Sequence, residues 1–193
     1  MVQAPVQPLT VEEYLAFPTW TYEGRIEVEN GYIRAMPTED RINTLIELFL
    51  IAELLKFLPI QQLSLGQVEV EVPAAKAHVR NPDIMVLDPA HVHLLGDGRG
   101  TIRLHMPPPL LVVEVVSPGK ENEQRDYQDK RKEYAARGIP EYWIVDPQRQ
   151  SILLLRWAEG QYQEEERTGS QLIVSTILPQ LRLTAEQILK AEN

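Results

Sequence analysis

The stretch Leu110-Leu111-Val112-Val113-Glu114-Val115-Val116-Ser117-Pro118 constrains this chain more than any other. Pro109 and Pro118 bound it, and within its apolar run there is a single carboxylate, Glu114. A β-branched run of this length reads as a strand covered on both faces. A charge inside such a strand is costly to bury unless a cation pairs with it. Candidate partners lie on either side. Upstream, Arg80-Asn81-Pro82-Asp83 leads into the apolar run Ile84 to Leu87. Downstream, a charged helix carries Asp126, Lys130 and Tyr134. The expectation is that Asp83, Glu114 and Lys130 meet in one metal-dependent site.

At 193 residues the chain is long enough for one domain with a sizeable core. Residues 1–9 read as a leader and 10–193 as that domain. No apolar run approaches membrane-spanning length, and the start lacks the basic-then-apolar signal pattern. There is no cysteine. Disulfides and thiolate metal sites are therefore excluded, and hard oxygen ligands or imidazoles must hold any metal. These features favour the cytoplasm. The formal charge of −9 works against nucleic-acid binding unless a locally basic groove or bound cations offset it.

Local signals set the order of elements. Thr10 with Glu13 forms a capping-box pattern, and the short helix it starts stops at Pro18. Arg25 to Met36 alternates around Asn30-Gly31, a hairpin signature closed by Pro37. Apolar residues at helical spacing from Asp40 to Leu58 predict a long helix ending at Pro59. In Gln67 to Pro73, valines alternate with Glu69 and Glu71, which read as solvent-exposed. Asp83 to Asp88 is a strand, and His91 to Pro109 reads as a loop. Glu121 to Arg137 is helical, with Gly138 as its stop. Glu141 to Asp146 is a strand, and a hairpin turns at Glu159-Gly160. Thr184 with Gln187 caps a last helix. The sum is an α/β (α+β) fold, a mixed central sheet flanked by helices.

An Asp opening one strand and a Glu inside the next meet if those strands are neighbours. Two such carboxylates repel and raise each other's pKa unless a divalent cation lies between them. Oxygen donors suit Mg²⁺, which keeps several waters, and a metal-bound water can attack a phosphodiester. A nearby lysine would orient that water or stabilise charge on phosphorus.

Several motifs carry a resemblance: Ile26-Glu27-Val28-Glu29-Asn30-Gly31, Arg80-Asn81-Pro82-Asp83, Val113-Glu114-Val115-Val116-Ser117-Pro118, Asp126 to Tyr134, and Gly138 through Pro147. Together they resemble the large, cyanobacteria-rich restriction-endonuclease-like family of the PD-(D/E)xK nuclease superfamily, from about Thr10 to the end. One residue departs: Val116 stands where the superfamily motif has lysine. The resemblance implies that this lysine has migrated to the following helix, as Lys130. It also implies that Asp83, Glu114 and the Val115 carbonyl bind Mg²⁺ or Mn²⁺. Lys130 would be catalytic base or phosphate-side cation, and Glu27 would complete the site or hold a second metal. DNA would be the substrate, and cutting both strands suggests a homodimer.

Plainer readings stand beside these. Asp83 can be a turn residue, Glu114 can form a structural salt bridge with Arg80 or Lys130, and Asp126 with Lys130 can be an ordinary i, i+4 pair. His91 and His93 lack a third imidazole, and the Gly96 to Gly100 glycines lack a flanking strand and helix, so neither forms a site. Arg80, Arg125, Lys130, Arg131, Lys132 and Arg137 would supply a basic groove. The alternative to a nuclease is a catalytically inactive binding or dimerisation module with the same fold.

Overall fold

The computed structural model describes residues 7–17, 24–36, 38, 40–74, 76, 78–96 and 98–192. Most of the leader, Pro18, Pro37 and Asp97 lie outside these residues. Helix α1 (Val11–Leu15) starts at Thr10, whose hydroxyl accepts the Glu13 N–H while the Glu13 carboxylate accepts the Thr10 N–H. Strands β1 (Ile26–Glu29) and β2 (Tyr32–Ala35) form the expected hairpin. Its turn places Asn30 at φ 52° and Gly31 at φ 84°, the left-handed pair that a two-residue hairpin loop requires. A Cβ on Gly31 would lie 2.7 Å from Pro8 Cβ and 2.8 Å from Leu9 N, so the chain before α1 packs on this turn only because residue 31 is glycine.

Helix α2 (Arg41–Leu54) buries Ile46, Leu50 and Leu54, and a short 3-10 turn (Ile60–Gln62) follows Pro59. Then come β3 (Leu63–Leu65), β4 (Val68–Glu71), β5 (Val79–Arg80) and β6 (Ile84–Val86). The segment expected to be a loop holds a one-turn helix, α3 (His91–Leu94), and a strand, β7 (Gly100–Ile102), before β8 (Leu111–Val115). Pairing with β4 in parallel stabilises β7, a partner that local sequence does not reveal.

Helices α4 (Lys120–Gln124) and α5 (Lys130–Arg137) are joined end to end by a π-helical turn (Arg125–Asp129), and Gly138 at φ 76° ends the run. Strands β9 (Glu141–Asp146), β10 (Ser151–Ala158) and β11 (Gln161–Thr168) follow. The Thr184–Gln187 capping box starts α6 (Ala185–Lys190). No helix among the described residues is long and apolar enough to cross a membrane.

The mixed α/β fold is as expected, and among the described residues its strands form two sheets. The larger runs β11-β10-β9-β8-β6-β3 and the smaller β2-β1-β5-β4-β7. Among the described residues only the β8–β9 and β4–β7 pairs are parallel. The chain passes from the smaller sheet to the larger over residues 81–83, between β5 and β6. Strand β8 has a buried core on each face. Leu111, Val113 and Val115 pack with α2 and α6 through Ile46, Leu50 and Ile188. Val112 and Val116 pack with Val70 and Ile102 of the smaller sheet and with Tyr134 of α5. Burying about 1.5–3 kcal/mol per large apolar side chain on both faces makes β8 the spine of the molecule and fixes the direction in which Glu114 points.

Candidate active site

Strand parity puts the two acids together. Strands β6 and β8 are antiparallel with Ile84 opposite Val113, so Asp83 falls at the register position facing Glu114. Residues 83, 85 and 87 share a face with 112, 114 and 116, and that face belongs to the core shared with the smaller sheet. Asp83 is nearly buried, and its Oδ2 accepts the Val115 N–H at 2.8 Å. Its Oδ1 lies 2.9 Å from the Arg25 guanidinium. The Val115 carbonyl accepts from Asn43 Nδ2 of α2 at 3.4 Å.

Lys130 is 1% exposed. Its ammonium lies 2.8 Å from Glu114 Oε2, 3.2 Å from Asp126 Oδ1 and 3.6 Å from Glu27 Oε1. Tyr134 donates to Glu114 Oε1 at 2.7 Å. Asp126, Lys130 and Tyr134 therefore share the inner face of their helix, as their spacing predicts. The π-helical turn contains Asp126 and ends just before Lys130, whose N–H bonds the Arg125 carbonyl. Such single wide turns insert a residue and re-aim side chains, often at functional sites.

Glu27 is fully buried. Its Oε2 accepts from Arg80 Nη1 at 2.9 Å, and its Oε1 lies 3.4 Å from the Asn81 N–H. Arg80, also fully buried, holds Glu133 in a two-pronged pair at 2.7 and 2.8 Å. His78 adds a contact to Glu133 at 3.0 Å. The four predicted side chains, Asp83, Glu114, Lys130 and Glu27, thus belong with the Val115 backbone to one buried polar cluster at the crossover between the sheets.

Charge balance in this cluster is tight. Burial pushes the Glu114 carboxyl up; Lys130 opposes this, and Asp83, Asp126 and Glu27 reinforce it. Burial also works against the Lys130 ammonium, but Glu114, Asp126 and Glu27 outweigh it and raise its pKa. The surrounding carboxylates thus favour the charged form of Lys130. For Glu27, burial is again the largest influence and acts upward, yet Lys130 and Arg80 leave the carboxyl below its ordinary value.

The donor set fits a hard divalent cation. It offers two facing carboxylates and a backbone carbonyl, and the Glu114 carboxyl is raised in a way that added positive charge would reverse. Among the described residues no group of three or more His, Asp or Glu is arranged to hold a metal through side chains alone. The Val115 carbonyl and water would therefore have to complete the shell.

Val116, at the position of the superfamily lysine, is buried among apolar side chains, and the amine at Glu114 comes from the helix instead. Arg25, Asn43, Glu133 and His78 were not foreseen. For Asn43 a signal exists: it stands in step with Ile46, Leu50 and Leu54 on the buried side of α2, where a polar residue needs a partner. Arg25 and Glu133 lie among ordinary charged residues and carry no local mark.

Two other expectations are corrected. Glu69 and Glu71 are buried, not solvated. Glu69 accepts from Tyr14, Thr101 and both prongs of Arg99, and Glu71 from Arg103 and the Leu104 N–H. The cause is β7, whose flanking arginines meet the carboxylate face of β4. The proposed basic groove also fails in its membership. Arg80 and Lys130 are buried, Arg131 pairs with Glu164, and Arg137 donates to the Arg103 and Met106 carbonyls. Arg34, Lys120 and Arg125 line a surface depression of about 390 Å³ together with Glu121, Pro118, Gly119 and Asn122, and Arg34 lies 3.6 Å from Glu121 and 3.3 Å from Glu29. Arg125 Nε also contacts Asp126 at 3.3 Å.

The mixed α/β fold is that of a restriction-endonuclease-like protein. The sequence model of the Uma2 family, described as "Putative restriction endonuclease", matches residues 11–186, and the chain belongs to that family. The protein is also similar to a crystal structure of "a putative nuclease belonging to DUF820" from Anabaena variabilis. The TM-score is 0.71 with 18% identity, over 95% of this chain and 99% of that one. No curated protein matches the chain.

Proposed function

We propose that the protein is a Mg²⁺- or Mn²⁺-dependent endonuclease that hydrolyses DNA phosphodiester bonds. The observation that carries this reading is the meeting of Asp83 and Glu114 on one sheet face, with the Lys130 ammonium 2.8 Å from Glu114. Family membership supports it.

In this reading Asp83, Glu114 and the Val115 carbonyl hold the cation. When bound, a divalent cation supplies an acidified water and neutralises charge on the phosphate. Lys130, kept protonated by three carboxylates, serves as a fixed positive charge toward the phosphorane and not as a base. Glu27 and Asp126 anchor that ammonium. Arg34, Lys120 and Arg125 face the phosphate backbone at the surface depression. Scission of both strands calls for two such sites, so a symmetric homodimer belongs to the same reading. The test is cleavage of supercoiled plasmid by purified protein with Mg²⁺ or Mn²⁺, against a chelator control. Asp83→Ala should reduce the rate at least about 100-fold; cleavage that survives the substitution would place the activity elsewhere.

One observation favours a second reading, a binding module without turnover. Each central carboxylate already meets a cation: Asp83 meets Arg25, Glu27 meets Arg80, and Glu114 meets Lys130. A cluster balanced in this way can serve stability alone. Calorimetry separates the two readings, since the inactive module binds no Mn²⁺ at millimolar concentration.

A further inference from the structure

Among the described residues Arg25 pairs with Asp83 and Lys130 with Glu114, and these two cations are held very differently. Lys130 is 1% exposed and gripped by three carboxylates. The Arg25 side chain is 25% exposed. It reaches inward from the residue before β1, puts Nη1 2.9 Å from Asp83 Oδ1 and donates from Nη2 to the Asn81 carbonyl at 2.6 Å. Gly66, at φ 63°, lets this guanidinium lie flat: a Cβ there would stand 3.2 Å from Arg25 Cζ and Nε. The Arg25 charge also feels Glu114 and Glu47.

The other Asp83 oxygen is committed to the Val115 N–H. Arg25 therefore covers the oxygen of Asp83 that a cation shared with Glu114 would need. From this geometry we infer that Arg25 is a displaceable counter-ion, which neutralises the acidic pair in the metal-free protein and must swing outward for a divalent cation to enter. The inference rests on the metal-dependent reading above. Physically, the guanidinium and the divalent ion compete for the same negative charge, and only Arg25 has a route to solvent. Lys130 cannot play this part, because its withdrawal would strand three buried carboxylates.

The consequence is a chain that binds divalent metal more weakly than its acidic pair allows. The probe is Mn²⁺ alone, titrated calorimetrically into wild type, Arg25→Gln and Arg25→Lys, with thermal melts in chelator and in Mn²⁺. Arg25→Gln should bind Mn²⁺ roughly tenfold or more tightly than wild type, melt lower in chelator, and gain more from added Mn²⁺. Arg25→Lys, whose charge lacks the planar fork, should fall between them. Equal or weaker Mn²⁺ binding by the Gln variant overturns the role of Arg25 and leaves the metal site standing. Absence of Mn²⁺ binding in all three proteins overturns the metal site and the inference with it. Should Arg25→Gln not fold, Arg25→Lys decides: tighter binding than wild type supports the displacement, and unchanged binding removes it.

Discussion

At the scale of single residues, the cluster shows why one carboxylate in an apolar strand is so constraining. Glu114 has no route to water from β8, so its partners must come to it, and Lys130 and Tyr134 do so from one helix. Removing one member leaves the others buried without compensation, which typically costs about 3–5 kcal/mol. Lys130→Met should therefore destabilise the protein by about that much in urea unfolding. In the double variant Glu114→Gln/Lys130→Met the loss should be clearly less than the sum of the two single losses. An additive result would mean that the 2.8 Å pair contributes nothing specific.

Individual elements follow their local signals closely where the signal is a turn or a cap. The Asn30-Gly31 hairpin, the capping boxes at Thr10 and Thr184 and the Gly138 stop all sit where the sequence puts them. Each depends on the φ preference or side-chain acceptor of one or two residues. The π-helical turn carries no such signal. Charged residues at i and i+4 look alike in an α-helix and in a wide turn, and only the core decides between them. Deleting Gln128, an exposed residue of that turn, should convert it to ordinary α-helix. The wide turn absorbs one extra residue, so the flanking helices keep their phase, while Asp126 becomes i, i+3 to Lys130 and its carboxylate is re-aimed on the helix face. The expected outcome is a stability loss smaller than that of Lys130→Met but clear of zero, read by the same unfolding experiment. A near-neutral deletion would show that the wide turn does not serve the cluster.

For the whole molecule, the paired charges between the sheets set the response to acid. In Glu133 burial acts upward, but hydrogen bonds from Arg80 and His78 outweigh it and bring the carboxyl down to about 2 from an ordinary 4.5. The unfolded chain then takes up the proton first. The stability this group contributes is complete above pH 4.5 and drains away as pH falls from 4.5 to 2. Glu133→Gln should cost about 2–3 kcal/mol at pH 7 and roughly half of that at pH 3. Urea unfolding of both proteins at the two pH values checks this, and a difference independent of pH would assign the effect to packing.

Composition, apolar period and turn chemistry by themselves determined most of the elements, the double burial of β8 and the pairing of residue types that made Asp83, Glu114 and Lys130 worth linking. These properties depend on neighbours a few residues apart, which the sequence displays directly. Only the tertiary structure decided that there are two sheets, that β7 forms at all, and that Glu69 and Glu71 turn inward toward Arg99 and Arg103. It alone brought Arg25, Asn43 and Arg80 to the acids, and it took Arg80 and Lys130 out of the surface groove and into the buried cluster. The reason is that a charged side chain carries no sign of its burial: Arg80 and the exposed Lys132 read alike until strands distant in sequence close over one of them.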